Sequence, residues 1–371
     1  VEPRYGMVRF RDQKSVAREV ETLYELGVRC FRLGRQPDIL AYKARGVNEE
    51  EFPEPDPREI EELFRMVREA APQAETLHID NVNPGTVAHH PEASREAAKA
   101  IIKYHTPGDV AAMGIESADP EVIKQNRLKV YPDEALEAVR IINSVGSRRG
   151  YNGLPELLPG INFVAGLKGE SARTYALNFE FLMEILKEGL MVRRVNIRQV
   201  LPLPGTPMWT VGTSINERNR RFFHAFKRKV RERFDKPMLE RVVPKGTVLR
   251  RLYVEGYEGN YSLARQPASY PLLTYIPTRL PLNTRLDVMV VAHRCRSITA
   301  VPYPINVNDA PRELLIRVPG LSEKDVQRLL SRRPFRNREE LAMALGRCPP
   351  PYLEILPHQS LKCPEPSTCK G

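Results

Sequence analysis

The chain has 371 residues, enough for two or three domains, and its 42% hydrophobic and 28% charged residues are typical of a soluble globular protein. No apolar stretch reaches the ~18 residues of a membrane helix, and the charged first residues, VEPRYGMVRFRDQ, lack the apolar core of a secretory signal. With five scattered cysteines, these features exclude a membrane protein and predict a cytoplasmic one.

The net charge of +11 favours a polyanionic partner, and the excess is concentrated in residues 216–237. This segment, NERNRRFFHAFKRKVRERFDKP, predicts a basic helix with four interleaved phenylalanines, Phe222, Phe223, Phe226 and Phe234. One interpretation is a solvated helix that buries a single aromatic stripe, and the other is a helix that contacts nucleic acid. The sequence leaves both open.

Residues 1–212 alternate between helical and strand patterns. Apolar residues recur at helical spacing in five segments, 15–27, 56–72, 91–105, 132–146 and 174–189. Each is followed by a strand-like segment, at 28–34, 75–80, 109–117, 160–166 and 192–200. In the second helix Asp56 is the predicted N-cap, with Pro57 as first helical residue and Glu59 as partner in a capping box. Strands separated by helices run parallel, so the region predicts an open doubly wound sheet or a partial or full barrel.

In parallel α/β folds the loops that follow the strands carry the chemistry. Polar residues occur at these places, namely Arg35, Gln36, Asp80, Asn81, Glu116, Ser117, Glu170, Arg198 and Gln199. This regular placement predicts that the region is an enzyme.

The rest of the chain divides by composition. Residues 213–244 are predicted to be the basic helix that links two domains. Residues 245–304 are rich in β-branched and aromatic residues with recurring turns, which predicts a small antiparallel β domain in the form of a barrel. Residues 305–347 return to helical patterns, and 348–371 form a proline-rich tail.

Three strand ends have a chemical interpretation, and two of them also have a structural one. A carboxylate at Glu116 can accept hydrogen bonds from a ribose diol or can pair with an arginine. Gly166 can let a flat ring lie against the backbone or can make an ordinary tight turn. Gly34, Arg35 and Gln36 can hold a small polar group such as an amino acid.

The order of these segments resembles that of radical S-adenosylmethionine (SAM) enzymes. GRQP (34–37) is similar to their Gly-Gly-Glu-Pro stretch with Gln36 in place of Glu, and GIES (114–117) is similar to their ribose-facing stretch. VAGLKGES (164–171) is similar to the stretch beside adenine with Lys168 in place of Pro, and PGTP (204–207) follows the last strand.

The resemblance implies a partial (βα) barrel with a SAM site. Its methionine end would lie at Gly34, Arg35 and Gln36, its ribose at Glu116 and Ser117, and its adenine at Val164 to Gly166. Glu170 is expected to have a structural role at the start of the next helix. The residues expected to face the substrate are Asp80, Asn81, Arg198 and Gln199.

The cysteines depart from the family. Its [4Fe-4S] cluster needs three thiolates in a Cys-x3-Cys-x2-Cys pattern or a variant. That spacing is not made by the five cysteines of the chain, which are Cys30, Cys295, Cys348, Cys363 and Cys369. Cys30 is predicted to lie within a strand and to be part of the protein core. We therefore expect that this chain supplies no metal ligand, that it is a fragment, and that the cluster ligands lie upstream of Val1. The whole enzyme is expected to need an external electron donor.

Residues 315–333, LIRVPGLSEKDVQRLLSRR, resemble a helix-hairpin-helix DNA-binding module. In it Gly320 opens the hairpin, Ser322 replaces the usual second glycine, and Lys324 and Arg328 supply phosphate contacts. The alternative is a small helical domain used for packing. The β segment resembles the RNA-binding barrel appended to radical SAM enzymes that modify tRNA.

Together, the three parts resemble an archaeal radical SAM group defined by its C-terminal helix-hairpin-helix. This implies a fragment of an enzyme that cleaves SAM reductively and modifies a substrate that the resemblance does not name, with nucleic acid as the expected class. The alternative hypothesis is a non-catalytic nucleic-acid-binding protein that uses the helix-hairpin-helix.

Overall fold

The computed structural model describes residues 6–356, and these form two compact units. The first unit extends to Val242 and includes the later segment Pro267–Tyr270; the second consists of Val243–Gln266 and the described residues from Pro271 onward. Cys363, Cys369 and residues 357–371 of the predicted tail lie outside the described residues, as do residues 1–5.

Helices and strands alternate along the first unit. In chain order they are α1 (Gln13–Glu25), β1 (Cys30–Leu33), α2 (Pro57–Ala70), β2 (Thr76–Ile79), α3 (Pro84–His89), α4 (Pro91–Tyr104), β3 (Asp109–Glu116), α5 (Pro120–Asn126), α6 (Pro132–Gly146), β4 (Leu157–Ala165), α7 (Ala172–Lys187), β5 (Arg194–Gln199), α8 (Pro207–Val211), α9 (Ser214–Val230), a π-helical turn (Arg231–Asp235) and α10 (Lys236–Val242). All five predicted strands and the five predicted helices that precede them are present.

The strands are parallel, as the alternating pattern predicts. β1 pairs with β2, and β3, β4 and β5 pair in that order. A single bridge between Asn81 and Ala112 joins the two groups, with Ala112 donating its N–H to the carbonyl of Asp80 at 3.0 Å. The prediction of a mixed α/β fold with parallel strands is therefore confirmed.

The predicted cap of α2 is only half right. The Asp56 carboxylate accepts from the N–H of Arg58 at 2.9 Å, and Pro57 is the first helical residue. The capping box is wrong, because the Glu59 carboxylate points away from the N-cap and accepts from Lys43 at 2.9 Å and from Gln13. A long-range partner has replaced the local one.

The aromatic stripe of the basic helix is buried. Phe223, Phe226 and Phe234 are each at most 5% exposed. The ring of Phe226 lies 6.0 Å from that of Phe163 on β4 and 5.7 Å from that of Tyr175 on α7. Burial of these three rings fixes the helix within the first unit, so these three phenylalanines serve the core, whereas Phe222 is only partly buried.

The second unit begins with a closed five-stranded barrel, made of β6 (Val248–Glu258), β7 (Tyr261–Arg265), β8 (Leu273–Ile276), β9 (Arg285–His293) and β10 (Ser297–Tyr303). Around the barrel the order is β10, β8, β7, β6, β9. Four of the five pairings are antiparallel, as predicted for this domain, whereas β8 and β10 run parallel, which the prediction did not include. The chain crosses from β8 to β9 before it reaches β10, and this crossover sets β10 beside β8 in the same direction.

Helical structure follows the barrel. The elements are β11 (Ile305–Asn306), α11 (Arg312–Leu315), α12 (Glu323–Arg332), α13 (Arg338–Leu345) and β12 (Leu353–Glu354). Leu315, Val326, Leu329 and Leu341 are at most 1% exposed and form the core of this segment. No helix within residues 6–356 is both long and apolar enough to span a bilayer.

Candidate functional site

One face of the parallel sheet is open. Along β4, Ile161 and Phe163 are buried under the helices, whereas the alternating residues Asn162 and Val164 are only partly buried. Because side chains alternate between the two faces of a strand, the partly buried set marks a second face without a full cover. On β3, β4 and β5 this open face carries Gly114, Glu116, Asn162, Val164, Arg194, Asn196 and Arg198.

Glu116 is turned onto the open face by an irregularity. The pairing of β3 with β4 shifts between Gly114 and Glu116, and Glu116 has a φ of 64°. Its carboxylate lies where a Cβ on Gly114 would stand. Oε2 is buried and has no hydrogen-bond partner among the described residues. Burial raises the pKa of Glu116 to about 7, although the positive charges of Lys129 and Arg198 act to lower it.

The amides beside this carboxylate are linked. Asn196 on β5 lies 3.3 Å from Asn162 on β4, measured from Nδ2 to Oδ1. In the swapped amide orientation the oxygen of Asn196 instead accepts from Nε of Arg198 at 2.6 Å. The open face therefore has hydrogen-bonding groups across two strands, next to a carboxylate with an unsatisfied oxygen.

The loop after β1 carries the predicted stretch Gly34–Gln36. Arg35 is exposed with a φ of 65°, and the Gln36 side chain folds back to donate to the carbonyl of Leu33 at 2.8 Å. Asn81, after β2, donates to the carbonyl of Gln36 at 3.1 Å. Asp80 pairs with Arg32 of β1. The structure thus ties the two strand ends together through Asn81 and brings Asp80 beside Gly34, whose Cβ position lies 3.3 Å from Oδ2 of Asp80.

The turn after β4 is organised by Glu170. The N–H of Gly166, which has a φ of 92°, donates to Oε2 at 2.6 Å, and Oε1 accepts from the hydroxyl of Tyr175 at 2.5 Å and from Asn219 at 3.2 Å. Glu170 is 3% exposed. The amide of Asn216 occupies the place of a Cβ on Gly166. Glu170 therefore holds the turn, and the open-face contact of this segment is Val164.

Ser117 and Gln199 were predicted to act together with Glu116 and Arg198, but their surroundings differ from those of these two residues. Ser117 is 1% exposed, and its hydroxyl accepts from the N–H of Asp119 at 3.1 Å at the start of α5. Gln199 is exposed at the end of β5, next to Arg198. Of the two residues predicted at a ribose, only Glu116 presents its side chain on the open face.

Sequence reasoning missed Tyr270. It belongs to the first unit although it lies far along the chain. Its ring lies 4.2 Å from the guanidinium carbon of Arg194 on β5 and 5.2 Å from that of Arg32 on β1, and its hydroxyl accepts from Arg32 at 3.0 Å. Tyr270 thus connects the two edge strands of the sheet. No local pattern marks it, whereas the alternating polar residues of β4 and β5 were a signal for Asn162 and Asn196.

A buried histidine network lies at the opposite end of β3. Nδ1 of His105 is 3.1 Å from Asp109 Oδ2, and its Nε2 is 3.4 Å from Glu156. Burial opposes the charge on His105, but the hydrogen bond to Asp109 and the negative charges of Asp109 and Glu156 outweigh it and raise the pKa of His105. Burial lowers the pKa of the neighbouring His78. Asp109 also accepts from the N–H of Ile79, so the network joins β2 to β3.

The described cysteines do not fit an iron–sulfur cluster. Cys30, Cys295 and Cys348 are free and exposed, so the prediction that Cys30 lies in the core is wrong. Cys30 is the first residue of β1, and only the following Phe31 reaches the core. Within residues 6–356 no three His, Cys, Asp or Glu side chains are grouped to hold a metal ion. A cubane needs thiolates that converge, and these do not.

The turn predicted to meet DNA joins α11 to α12. Gly320 has a φ of 79°, and its carbonyl accepts from Arg347 at 2.5 Å. Ser322 is the N-cap of α12 and forms a capping box with Asp325. Lys324 and Arg328 are exposed. The carboxylate of Asp325 places negative charge at this helix start, where a phosphate would have to bind.

No family model matches the sequence. A protein of Archaeoglobus fulgidus, described as uncharacterized, is 44% identical over 93% of this chain and 64% of its own length. An uncharacterized protein of Methanocaldococcus jannaschii is 47% identical over 80% of this chain and 55% of its own length. The chain therefore spans between one half and two thirds of the length of these relatives.

The solved structures that resemble the chain do so weakly. The radical S-adenosylmethionine methyltransferase TsrM from Kitasatospora setae, with cobalamin and a [4Fe-4S] cluster bound, gives a TM-score of 0.37 at 17% identity, over 56% of this chain and 32% of that one. Coproporphyrinogen III oxidase from Escherichia coli, described as a radical SAM enzyme, gives 0.31 at 14% identity, over 46% of this chain and 37% of that one. Similarity at this level does not establish a shared fold.

Proposed function

We propose that the first unit binds SAM on its open face and is the SAM-binding part of a radical SAM enzyme. The observation that carries this is Glu116, a carboxylate on the open face with a buried oxygen that has no hydrogen-bond partner within residues 6–356. Buried polar groups are nearly always hydrogen-bonded, so this oxygen calls for a donor from a ligand. The GRQP, GIES and VAGLKGES stretches, in that order at strand ends, add the resemblance to the family.

The residues on the open face have distinct roles in this proposal. Ionised Glu116 accepts hydrogen bonds from the two ribose hydroxyls, and Arg198 and Lys129 favour its ionised form. Val164 provides apolar contact for adenine, and the Gly34–Gln36 loop holds the methionine end. Bound SAM supplies a sulfonium carbon–sulfur bond that a one-electron reductant cleaves. The described cysteines do not fit the cluster, so we assign the reductive step to no residue of this chain.

The substrate would approach from the same strand ends. Arg198 lies on the open face, and Asp80 and Asn81 lie at the end of β2. Arg198 already contacts Asn196, so it would orient a substrate group from a fixed position.

Calorimetric titration of the full chain with SAM and with adenosine tests the site. Glu116→Gln removes the charge at nearly constant shape, and we expect it to weaken both ligands about tenfold, because two charge-assisted hydrogen bonds become neutral ones. The matched control is Glu180→Gln, an exposed glutamate on α7. Equal affinity in the wild type and Glu116→Gln would remove the assignment.

A second candidate function is nucleic-acid binding. The observation in its favour is the exposed pair Lys324 and Arg328 on α12, next to the Gly320 turn. Asp325 opposes it at the same helix start. Fluorescence anisotropy with duplex DNA across a salt series tests it: affinity set by phosphate contacts falls steeply with salt, and a double Lys324→Ala, Arg328→Ala variant should lower the slope. An affinity independent of salt would contradict a phosphate contact at this turn.

A further inference from the structure

The loop after β5, residues 201–211, exposes apolar side chains to solvent, and we call it the apolar loop. Leu201, Leu203 and Trp209 are each more than half exposed, although water disfavours all three side chains. Every residue of the apolar loop, including those of the short helix α8, is exposed or only partly buried. A single exposed leucine is common, but three large apolar side chains within nine residues indicate an interaction surface.

Charge is absent from the sequence around the apolar loop and concentrated directly after it. The stretch between Arg198 and Glu217 has no charged residue, although 28% of the whole chain is charged. Helix α9 then has six arginine and lysine residues against one glutamate, Glu217. The Glu217 carboxylate accepts from the hydroxyl of Thr213 at 3.1 Å. The apolar loop is therefore followed at once by a strongly cationic helix.

The solvent-facing cations of α9 begin close to the apolar loop. Phe223 and Phe226 mark the buried side of the helix. Arg220, Arg221 and Arg228 are exposed on its other sides, and we call them the cationic side of α9. At 1.5 Å per residue, Arg221 lies about 10 Å along the helix from its first residue. An anionic surface that meets the apolar loop therefore also reaches the arginines of the first two turns.

The polar groups of the apolar loop are bonded largely within the loop. Its three prolines have no N–H that needs a partner. The N–H and the hydroxyl of Thr206 both donate to the carbonyl of Leu203, at 3.1 and 2.7 Å. The hydroxyl of Thr210 donates to the carbonyl of Pro207 at 3.0 Å. A segment enters a bilayer interface most easily when its polar groups are bonded internally, because lipid offers them few partners. This feature favours a lipid surface as the partner.

We propose that the apolar loop and the cationic side of α9 together bind the surface of an anionic lipid bilayer. The leucine and tryptophan side chains enter the boundary between headgroups and acyl chains, and the arginines pair with the lipid phosphates. Tryptophan is enriched at this boundary because its ring is apolar and its N–H is polar. The contact is peripheral and needs no helix that crosses the bilayer. The inference goes beyond SAM binding and does not depend on it.

The fluorescence of Trp209 reports this contact directly, because it is the only tryptophan of the chain and lies in the apolar loop. The test titrates the full chain with vesicles of phosphatidylcholine alone and of phosphatidylcholine with an equal part of phosphatidylglycerol. We expect the anionic vesicles to shift the emission to shorter wavelengths and to shield the ring from iodide. Binding to them should weaken with salt, and the neutral vesicles should bind at least about tenfold more weakly.

One pair of variants tests the apolar part of the surface. Leu203→Ser keeps Trp209 as the reporter and should weaken binding to the anionic vesicles about tenfold, because a leucine side chain no longer enters the interface. The matched control is Leu26→Ser, which removes an exposed leucine at the end of α1. It should leave the affinity within about twofold of the wild type.

A second pair tests the charged part. The double variant Arg220→Gln, Arg221→Gln should weaken binding to the anionic vesicles about thirtyfold, since each cation near the surface adds to the attraction. The matched control is Lys14→Gln, Arg18→Gln, which removes the same charge from exposed positions on α1. It should change the affinity no more than about twofold, because charges beyond a Debye length contribute little.

The outcomes distinguish a lipid surface from other partners. Vesicle binding that falls in Leu203→Ser and in the α9 double variant, but in neither control, supports the proposal. An equal or larger emission shift with poly-glutamate or duplex DNA would assign the surface to an acidic protein or a nucleic acid and overturn it. A shift that grows with protein concentration alone would mean contact between two copies, and that result or the absence of any shift with vesicles also overturns it. Circular dichroism melting of each variant excludes loss of fold as the cause.

Discussion

The carboxylate of Glu116 occupies the space that a side chain on Gly114 would fill. Both residues belong to GIES, and the shift in strand pairing lies between them. A glycine at 114 is therefore what allows the glutamate to reach back over its own strand. This relationship explains why a small residue and an acidic one occur two positions apart at this strand end. It can be tested by substituting the glycine.

Gly114→Ala should displace the Glu116 carboxylate while the fold survives. The obstacle to the new methyl group is the far end of a flexible side chain, which can rotate away. We expect the free energy of unfolding to change by less than ~1 kcal/mol and the affinity for SAM to fall about as much as in Glu116→Gln. Denaturant titration and calorimetry measure the two quantities. Gly256→Ala is the control, because nothing lies within 4 Å of its Cβ position.

The titration of Glu116 should make the free energy of unfolding fall with pH and the affinity for SAM rise with pH. Its folded pKa of about 7 lies above the unfolded value, so folding favours the neutral form. Its contribution to stability is present below pH ~4.5 and is lost as the pH rises through 7, with a total on the order of 3 kcal/mol. Ribose binding needs the carboxylate, so affinity for SAM should rise over the upper part of this window.

Glu116→Gln should remove both slopes. The measurements are urea denaturation and SAM titration at a series of pH values from 5 to 8. Glu180→Gln should keep the wild-type profiles. If the wild type and Glu116→Gln have parallel stability profiles, Glu116 is not the group that titrates.

Much of the parallel sheet was predictable because its signals are local. Helical spacing around Ile60 and Phe64 and the apolar run of β4 fix element type without tertiary information. The strand-end positions of Glu116 and Asp80 followed from the alternation alone. The hydrogen-bond partners of the side chains could not be predicted in the same way. Glu59 is an example, because its partner Lys43 is near in space and no capping pattern in the sequence marks it.

The parts that sequence reasoning missed depend on distant residues. Tyr270 joins β1 and β5 from a segment that follows β7 in the chain, and no periodicity links it to Arg32 or Arg194. The exposure of Cys30 depends on its place at the very start of β1, and strand boundaries are the least certain feature of a sequence pattern.

Glu170 should prove structural and not part of the ligand site. Its two oxygens accept from Gly166, Tyr175 and Asn219 inside the protein, so Glu170→Ala leaves the buried donors of Gly166 and Tyr175 without this partner, while Asn219 keeps its hydrogen bond to the backbone carbonyl of residue 170 at 3.1 Å. We expect a loss of roughly 3 kcal/mol of unfolding free energy. Tyr175→Phe removes only one of these donors and should cost about 1 kcal/mol. Thermal melting of both variants checks the order, and a Glu170→Ala protein as stable as the wild type would contradict the role.

His105 should make the protein more stable at the acidic side of neutrality. Its folded pKa is raised, so the charged imidazole, held between Asp109 and Glu156, stabilises the fold fully below the unfolded pKa of ~6.5 and loses this effect as the pH rises through the folded value. The difference in unfolding free energy between the wild type and His105→Asn should therefore shrink as the pH increases above ~6.5. Urea denaturation at several pH values measures it, with His224→Asn, an exposed histidine on α9, as the control that keeps the wild-type slope. A difference that is constant with pH would mean that His105 is held neutral and that the network acts through packing alone.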